Sequence, residues 1–452
     1  MLEFINSYIF GPGLCVAVFG FGIFLLVYLK GFFLVKPGKV FGALKSEGEN
    51  GMSPIKAMTL ALAGTLGVGN IAGVASAIAI GGPGAVFWML VSVVAALPIK
   101  YAETVLAMGH RRKDHEGKLH GGAYFYMNDR GTSLSRVFAA VFAFLCIAAS
   151  LAMGCTIQAN AISVSMEQSF GIPTLLSGLV MALTILFVAS GGLERISFVT
   201  SRLIPIMSGA YIAMSLFIVF TNVGMLGDIA LEILENAFSS EAVGGGIIGF
   251  ITSNAVRIGV TRGIVSNEAG CGTAPIAHAC ANTKSPAAQG VFGMAEVFID
   301  TAVICTLTAF SVLIAERHGV ALNTDGMISA VASYARFIPF AAPIMAISVL
   351  VFAFCTMVCW FFYGSESLAY LTQNKRTPLF NGLYLCIYSL CTLIGAVSSG
   401  EWLWGLSDLV ISAMTALNIA VLMLSCREIK AETDAYFFAP KKKKKKQDTK
   451  FK

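Results

Sequence analysis

Eleven stretches of the chain are continuously apolar and almost free of charge: about 12–30, 53–81, 84–109, 135–166, 173–191, 195–221, 244–281, 288–315, 337–371, 379–398 and 402–425. Roughly 20 apolar residues in an α-helix cross the hydrocarbon core of a bilayer. The pattern therefore predicts an all-α polytopic membrane protein with about eleven transmembrane helices. The runs 244–281 and 337–371 are too long for one straight span, so breaks or interfacial ends are expected in both.

Lys and Arg placement orients the spans. Basic residues follow the odd-numbered runs: Lys30 to Lys56, Lys100 to Lys118, Arg195, Lys284, Lys375 with Arg376, and Lys441–Lys446. Alternate loops hold mostly Gly, Ser and acids, except that Arg317 and Arg336 follow the eighth run. The positive-inside rule then predicts a cytoplasmic C-terminus and an external N-terminus in an inner membrane. The first run has no basic residue before it and no small-residue cleavage pattern, so it is expected to be a span and not a cleaved signal.

Composition agrees: of 452 residues, 56% are hydrophobic and only 12% are charged, too few to cover a water-soluble surface. The 11 cysteines lie in or beside apolar runs, so neither a disulfide nor a metal site is inferred. The Lys441–Lys446 run reads as a solvated tail with affinity for anionic lipid, and nucleic-acid binding is not implied.

No polar linker divides the chain into separate folding units. Two runs, however, are interrupted at corresponding depths, at Ala63–Gly73 and Gly263–Gly272. They lie five crossings apart, so a repeated five-span unit would be inverted, with the binding site at the midplane. This divides the chain into an extra first helix and loop (1–52), a first repeat (53–223), a second repeat (224–428) and a tail (429–452).

The polar residues inside these runs are the candidate site. Around Gly64, Gly67, Gly69 and Asn70 the helix can unwind, freeing carbonyls for a cation and N–H groups for a carboxylate. Close packing through Gly69-x-x-x-Gly73 is the alternative reading. The second interruption carries Ser266, Asn267, Glu268 and Pro275, with Glu268 expected to pair with Arg262 or Arg257 or to accept backbone N–H bonds, and His278 expected at the interface. In the fourth run Gln158 and Asn160, two apart, face different ways, so one can point into a cavity while the other ties helices together. In the ninth run Thr356 and Trp360 share a face. Glu103, Glu296, Asp300 and Glu366 are the remaining acids in or at the ends of spans; structural pairing is the expected fate of each.

These segments resemble the alanine or glycine:cation symporter family of bacteria and archaea. The resemblance rests on Gly67–Val74, Gly81–Trp88, Lys100–Glu103, Gln158–Asn160, Ser266–Gly270, Ala274–His278, Phe298–Thr301 and Tyr363–Gly364, in that order along most of the membrane region. It implies uptake of a small neutral amino acid coupled to Na+ or H+, without a cofactor. It also implies a fold like the bacterial leucine transporter, an inverted five-plus-five repeat with one additional helix. Carried over residue by residue, Gly67, Gly69, Asn70, Gln158 and Ser266 would meet the substrate, and Trp360 would close the pocket. Carbonyls near Ala63 and Leu66 would join Thr356, and position 355, at the cation. Cys355 stands where a Ser or Thr is usual, Cys359 replaces a Gly, Cys271 replaces a Leu or Met, and Ala123 stands where Pro is expected. These departures bear on the coupling ion and pocket size.

A channel would more often be an oligomer of few-span subunits, and a membrane enzyme would need a clustered nucleophile and base or a metal motif that the sequence lacks. Stoichiometry, stereochemical preference and oligomeric state are not encoded in these patterns.

Overall fold

The computed structural model describes residues 11–46, 51–114, 117–238, 254–373, 378–398 and 401–439. The Lys441–Lys446 run and the first part of the 244–281 run lie outside the described residues. Among the described residues the fold is helical, apart from a two-residue ladder that pairs Arg112–Lys113 with Leu119–His120.

Each of the eleven apolar runs is mainly helical over its described residues, and the second and seventh leave the helix at 66–67 and 268–273. Among those residues, 7 helices are long and apolar enough to cross a bilayer, and the bent pair Pro54–Thr65 and Gly69–Gly81 makes an eighth. Gly13–Tyr28, Thr174–Ala189 and Gly326–Ala335 are shorter apolar helices. Leu183, Phe187, Phe217 and Leu390 are exposed on the outer helices, as expected of faces that meet lipid.

The long run 337–371 opens with a turn and continues as one 31-residue helix, Ala341–Leu371, without a break, so of the two expectations it is interfacial ends that fit it, at about 1.5 Å per residue. It carries no proline beyond its first turn, so nothing interrupts its hydrogen bonding. Leu226–Ala237 is a further helix, amphipathic, with Ile229, Ile233 and Ala237 buried at four-residue spacing.

The break in the second run follows from its glycines and bends the helix pair by 59°. Leu66 is extended after Thr65, and the chain re-enters as a π-helical turn over Gly69–Gly73. The seventh run breaks differently. After Asn254–Asn267, Glu268, Gly270 and Gly272 all take positive φ (51°, 88° and 81°) before the half-helix Ala274–Ala279 begins. Glycine suits two of those three positions; Glu268 bears the strain of the third.

Helix Gly84–Gly109 is the post against which these elements lean. Asn254–Asn267 crosses it at Gly259 and Gly263, where a Cβ would collide with Ala85 and Ser92. Pro286–Val297 crosses it at Gly290 and Gly293, over Tyr101 and Thr104. Small residues permit such approach in membranes, where packing replaces the hydrophobic driving force.

Ionisable groups are sealed into this contact. Lys100 Nζ lies 3.6 Å from Glu296 Oε1, with both side chains wholly buried. The other Glu296 oxygen is 3.0 Å from His278 Nε2, and the Gln289 amide reaches His278 Nδ1 at 2.8 Å. With the Gln289 amide donating to Nδ1, His278 donates from Nε2. His278 is thus fully buried within the protein and held on both ring nitrogens. Removing one member of a buried ion pair strands the other in a medium that cannot solvate it, at a cost of about 3–5 kcal/mol. Lys100→Met is therefore expected to lower the thermal midpoint of the detergent-solubilised protein. Lys100→Met combined with Glu296→Gln should recover much of the loss. Equal midpoints for the single and double variants would show that the pair is not coupled.

Candidate functional site

The two interrupted helices meet through one carboxylate. Asp300 lies in a π-helical stretch, Phe298–Cys305, and is wholly buried. Its Oδ1 accepts from Asn70 Nδ2 at 2.7 Å, and its Oδ2 accepts from Ser266 Oγ and Thr301 Oγ1, each at 2.8 Å. Asn70 comes from the first break and Ser266 from the end of Asn254–Asn267, with Asn70 Nδ2 also 3.0 Å from Ser266 Oγ. Asn70 Oδ1 in turn accepts the freed N–H of Gly67 at 3.2 Å. A single side chain thus replaces a lost helical bond and ties the break to Asp300.

The carbonyls of the first break converge elsewhere, on Thr356 of the long helix. Thr356 Oγ1 lies 3.0 Å from Ala63 O, 3.1 Å from Leu66 O and 3.1 Å from Phe352 O. One hydroxyl has one proton for these three acceptors, so the cluster is rich in lone pairs. Hard cations favour such an oxygen set. One turn along, Trp360 Nε1 is 3.3 Å from Gly64 O, and Cys359 Sγ is 3.0 Å from Leu60 O. The Trp360 ring rests on Gly154, where there is no room for a Cβ. Cys355 is buried beside Thr356.

Gly67 separates Thr356 from Gln158. A Cβ at 67 would stand 3.1 Å from Thr356 Oγ1 and 3.3 Å from Gln158 Oε1. Gln158 is buried, and its Oε1 has no hydrogen-bond partner. A narrow gap here is lined by Leu66, Gly67, Asn70, Ile71, Ile304 and Phe352. On one side of the gap, Ala57 to Val68 and Ser266 to Ala281 are almost entirely buried; on the other, Gly69 is exposed, with open space around its Cβ position.

Asn70, Gly67, Ser266, Thr356, Ala63, Leu66 and Gln158 therefore come together. Gly69 faces away from them, and Trp360 stands one turn from the gap. Asn160 is the helix tie of its pair, with Nδ2 2.7 Å from Ser398 O and 3.3 Å from Gly395 O. Glu268 does not pair with Arg257 or Arg262: Thr273 Oγ1 donates to it at 2.6 Å, across the turn that Glu268 itself opens. The second break is held by Glu103 Oε1, which accepts from Gly272 N at 2.8 Å and Asn418 Nδ2 at 2.6 Å. Asp300, Phe352 and Ile304 were not singled out for the site from sequence. Asp300 carried a signal, an acid within an apolar run; the other two are apolar residues among apolar residues.

The family model described as the sodium:alanine symporter family matches residues 1–452. The uncharacterized transporter YflA of Bacillus subtilis is 34% identical over 447 residues, covering 96% of this chain and 93% of that protein. The sodium/alanine symporter AgcS of Methanococcus maripaludis is 34% identical over 448 residues, 96% of each chain. The probable sodium/glutamine symporter GlnT of Bacillus subtilis is 32% identical over 432 residues, 93% of this chain and 87% of that one. Among solved structures, the substrate-bound outward-open state of a Na+-coupled sialic acid symporter superposes with a TM-score of 0.54. It shares 12% identity and covers 92% of this chain and 86% of that one, a likeness of fold.

A methyl group at Gly67 fills the space between Thr356 and Gln158. Gly67→Ala is expected to leave the thermal midpoint within a few degrees. Millimolar alanine is expected to raise the midpoint of the parent protein and to leave that of the variant unchanged. A full ligand-induced rise in the variant would place the ligand elsewhere.

Proposed function

The chain belongs to the sodium:alanine symporter family, and from that premise we propose that it imports a small neutral amino acid, alanine or glycine, together with Na+ by alternating access. The observation that carries this reading is the convergence of Asn70, Ser266 and the Ala63 and Leu66 carbonyls, all freed or presented by helix interruption, around one gap. Broken helices at membrane depth persist where their polar groups line a site.

In this reading Na+ takes the oxygen cluster of Ala63, Leu66 and Thr356. The thiol of Cys355 is a soft group and contributes little to a hard ion, which leaves Thr356 as the side-chain ligand. The substrate carboxylate sits against the Gly67–Asn70 backbone and Gln158, whose unpartnered oxygen is free to accept from the ammonium group. Ser266 completes the polar wall, Gly69 leads toward the open side, and Trp360 limits pocket size from the adjoining turn. Asp300 supplies a buried negative charge next to Asn70 and Ser266, which favours cations in the same volume. The narrowness of the gap and its Phe352 and Ile304 walls favour a short side chain.

The two breaks, five apolar runs apart, are the support for an inverted repeat of 53–223 and 224–428, with 1–52 as an additional element and 429–452 as a tail. Lys/Arg placement supports a cytoplasmic C-terminus and an external N-terminus. The buried acids Glu103, Glu268 and Asp300 favour one alternative, coupling to H+ in place of Na+.

Labelled alanine and glycine should accumulate in proteoliposomes under an inward Na+ gradient and not under a proton gradient alone. Accumulation that follows the proton gradient and ignores Na+ would replace the coupling ion; no accumulation of either solute under either gradient would remove the substrate assignment. Asn70→Ala should abolish uptake while the protein still inserts. Thr356→Val, which keeps shape but removes the oxygen, should raise the Na+ concentration for half-maximal uptake about tenfold or more, about 1.4 kcal/mol of ion binding. An unchanged Na+ dependence in that variant would sink the Thr356 site.

A further inference from the structure

A second polar cluster lies away from the gap, where the ladder Arg112–Lys113/Leu119–His120 touches the far end of the long helix. His120 Nδ1 is 2.6 Å from Glu366 Oε2, and His120 Nε2 is 3.0 Å from Asp114 Oδ2. The three side chains are mostly buried, with 15% of His120 and 11% of Glu366 accessible. A neutral imidazole has one N–H and can donate to one carboxylate only. Bonding to two ionised carboxylates at once requires the doubly protonated ring.

The same hairpin also grips the second half of the broken seventh run. Arg111 donates to Ala279 O at 3.3 Å, Ala281 O at 2.5 Å and Thr283 O at 2.7 Å, neutralising the carboxyl end of Ala274–Ala279. Cys280 Sγ lies 3.5 Å from Leu119 O, and Gly122 packs so closely on Ile276 that a Cβ would come within 2.9 Å of it. The ladder therefore bridges the half-helix and the helix bearing Thr356. Glu366 lies ten residues beyond Thr356, about 15 Å along an unbroken helix. This is the side of the site on which the broken helices are buried.

We propose that His120, bonded at once to Asp114 and Glu366, is a protonation-dependent clasp that holds this face of the protein shut. The clasp rests on the transport reading only for its role in the cycle: the face must open to release solute, and His120 is then a positioning residue for that step. Water reaches it through an adjoining cavity of about 550 Å³ lined by Arg112, Lys113, Asp114, His120 and Tyr370. Among the described residues, the elements packed on the ring carry the ionisable groups Arg111, Arg112, Lys113, Asp114 and Lys118 of the hairpin, Glu366 and Tyr370 of the long helix, and Cys280 just past the half-helix. Asp129, 2.5 Å from Arg112, is bonded to that guanidinium.

The Glu366 hydrogen bond, and after it the Glu366 and Asp114 charges, raise His120 from its usual 6.5 to about 9 while the clasp is closed. Its contribution is therefore complete below pH 6.5, declines above that value and is lost as pH passes 9.

The test uses Cys280 as a native reporter in nanodiscs, where both faces meet solvent. Its alkylation by N-ethylmaleimide is followed by peptide mass spectrometry, always comparing variant and parent at the same pH. His120→Gln should label about tenfold faster than the parent at pH 6.5, as expected for loss of a charge-assisted bond, and the ratio should approach one by pH 9.5. His120→Arg, which keeps the charge, should label at the parent's slow rate; Glu366→Gln should label fast like His120→Gln. A ratio near one at pH 6.5 for both His120→Gln and Glu366→Gln overturns the clasp. So does a raised ratio that stays constant from pH 6.5 to 9.5, which marks a merely packing role. Labelling needs no transported solute, so the expected labelling with no amino-acid uptake would overturn the symport reading and leave the clasp standing.

Discussion

Asp300 accepts hydrogen bonds from Asn70 on one interrupted helix and from Ser266 on the other, and all three side chains are buried. Backbone that leaves a helix inside a bilayer has to find partners within the protein, because the hydrocarbon offers none. Asn70 meets that demand twice: its oxygen takes the Gly67 N–H and its amide binds Asp300. The carboxylate thereby fixes how the first break sits against the second, and the gap beside Gly67 exists because that arrangement holds.

The two breaks are stabilised in opposite senses. The first offers carbonyls to Thr356 and to Trp360 Nε1, so its surplus is of acceptors and suits a cation. The second is held through N–H groups and turns, with Glu103 accepting from Gly272 N and Asn418 donating to Gly270 O at 2.9 Å. Tyr126 donates to Asn418 and completes that chain. One break is thus left chemically open toward the gap, while the other is closed by Glu103, Asn418 and Tyr126 from three separate helices. This asymmetry places the unsatisfied oxygen lone pairs, and with them the affinity for an ion, on the first break.

Much of this was legible in the sequence because glycine clusters and polar side chains stand out against apolar runs. The interruptions, the different facing of Gln158 and Asn160, and the mainly helical nature of the described parts of the apolar runs were visible in this way. Family resemblance brought Thr356 to Ala63 and Leu66, and their atoms do lie within 3.1 Å. Partnerships between distant positions were not legible. Glu268 bonds Thr273 and not an arginine, and His278 reaches Glu296 in the interior, because helix packing rather than local spacing decides which charges meet. Length alone left breaks or interfacial ends open at 337–371, where Ala341–Leu371 is one unbroken helix. Amphipathic Leu226–Ala237 escaped notice because hydropathy averages its two faces away.

The unbroken Ala341–Leu371 helix places Phe352, Thr356, Trp360 and Glu366 on one stiff rod. Such a rod is a lever: a tilt of about 5° pivoting near Thr356 swings Glu366 through about 1.3 Å, given the 1.5 Å rise per residue. A hydrogen bond of 2.6 Å does not survive that displacement. An adjustment at the midplane too small to disturb packing there is thus amplified, some fifteen ångströms away, into an all-or-none event at the hairpin.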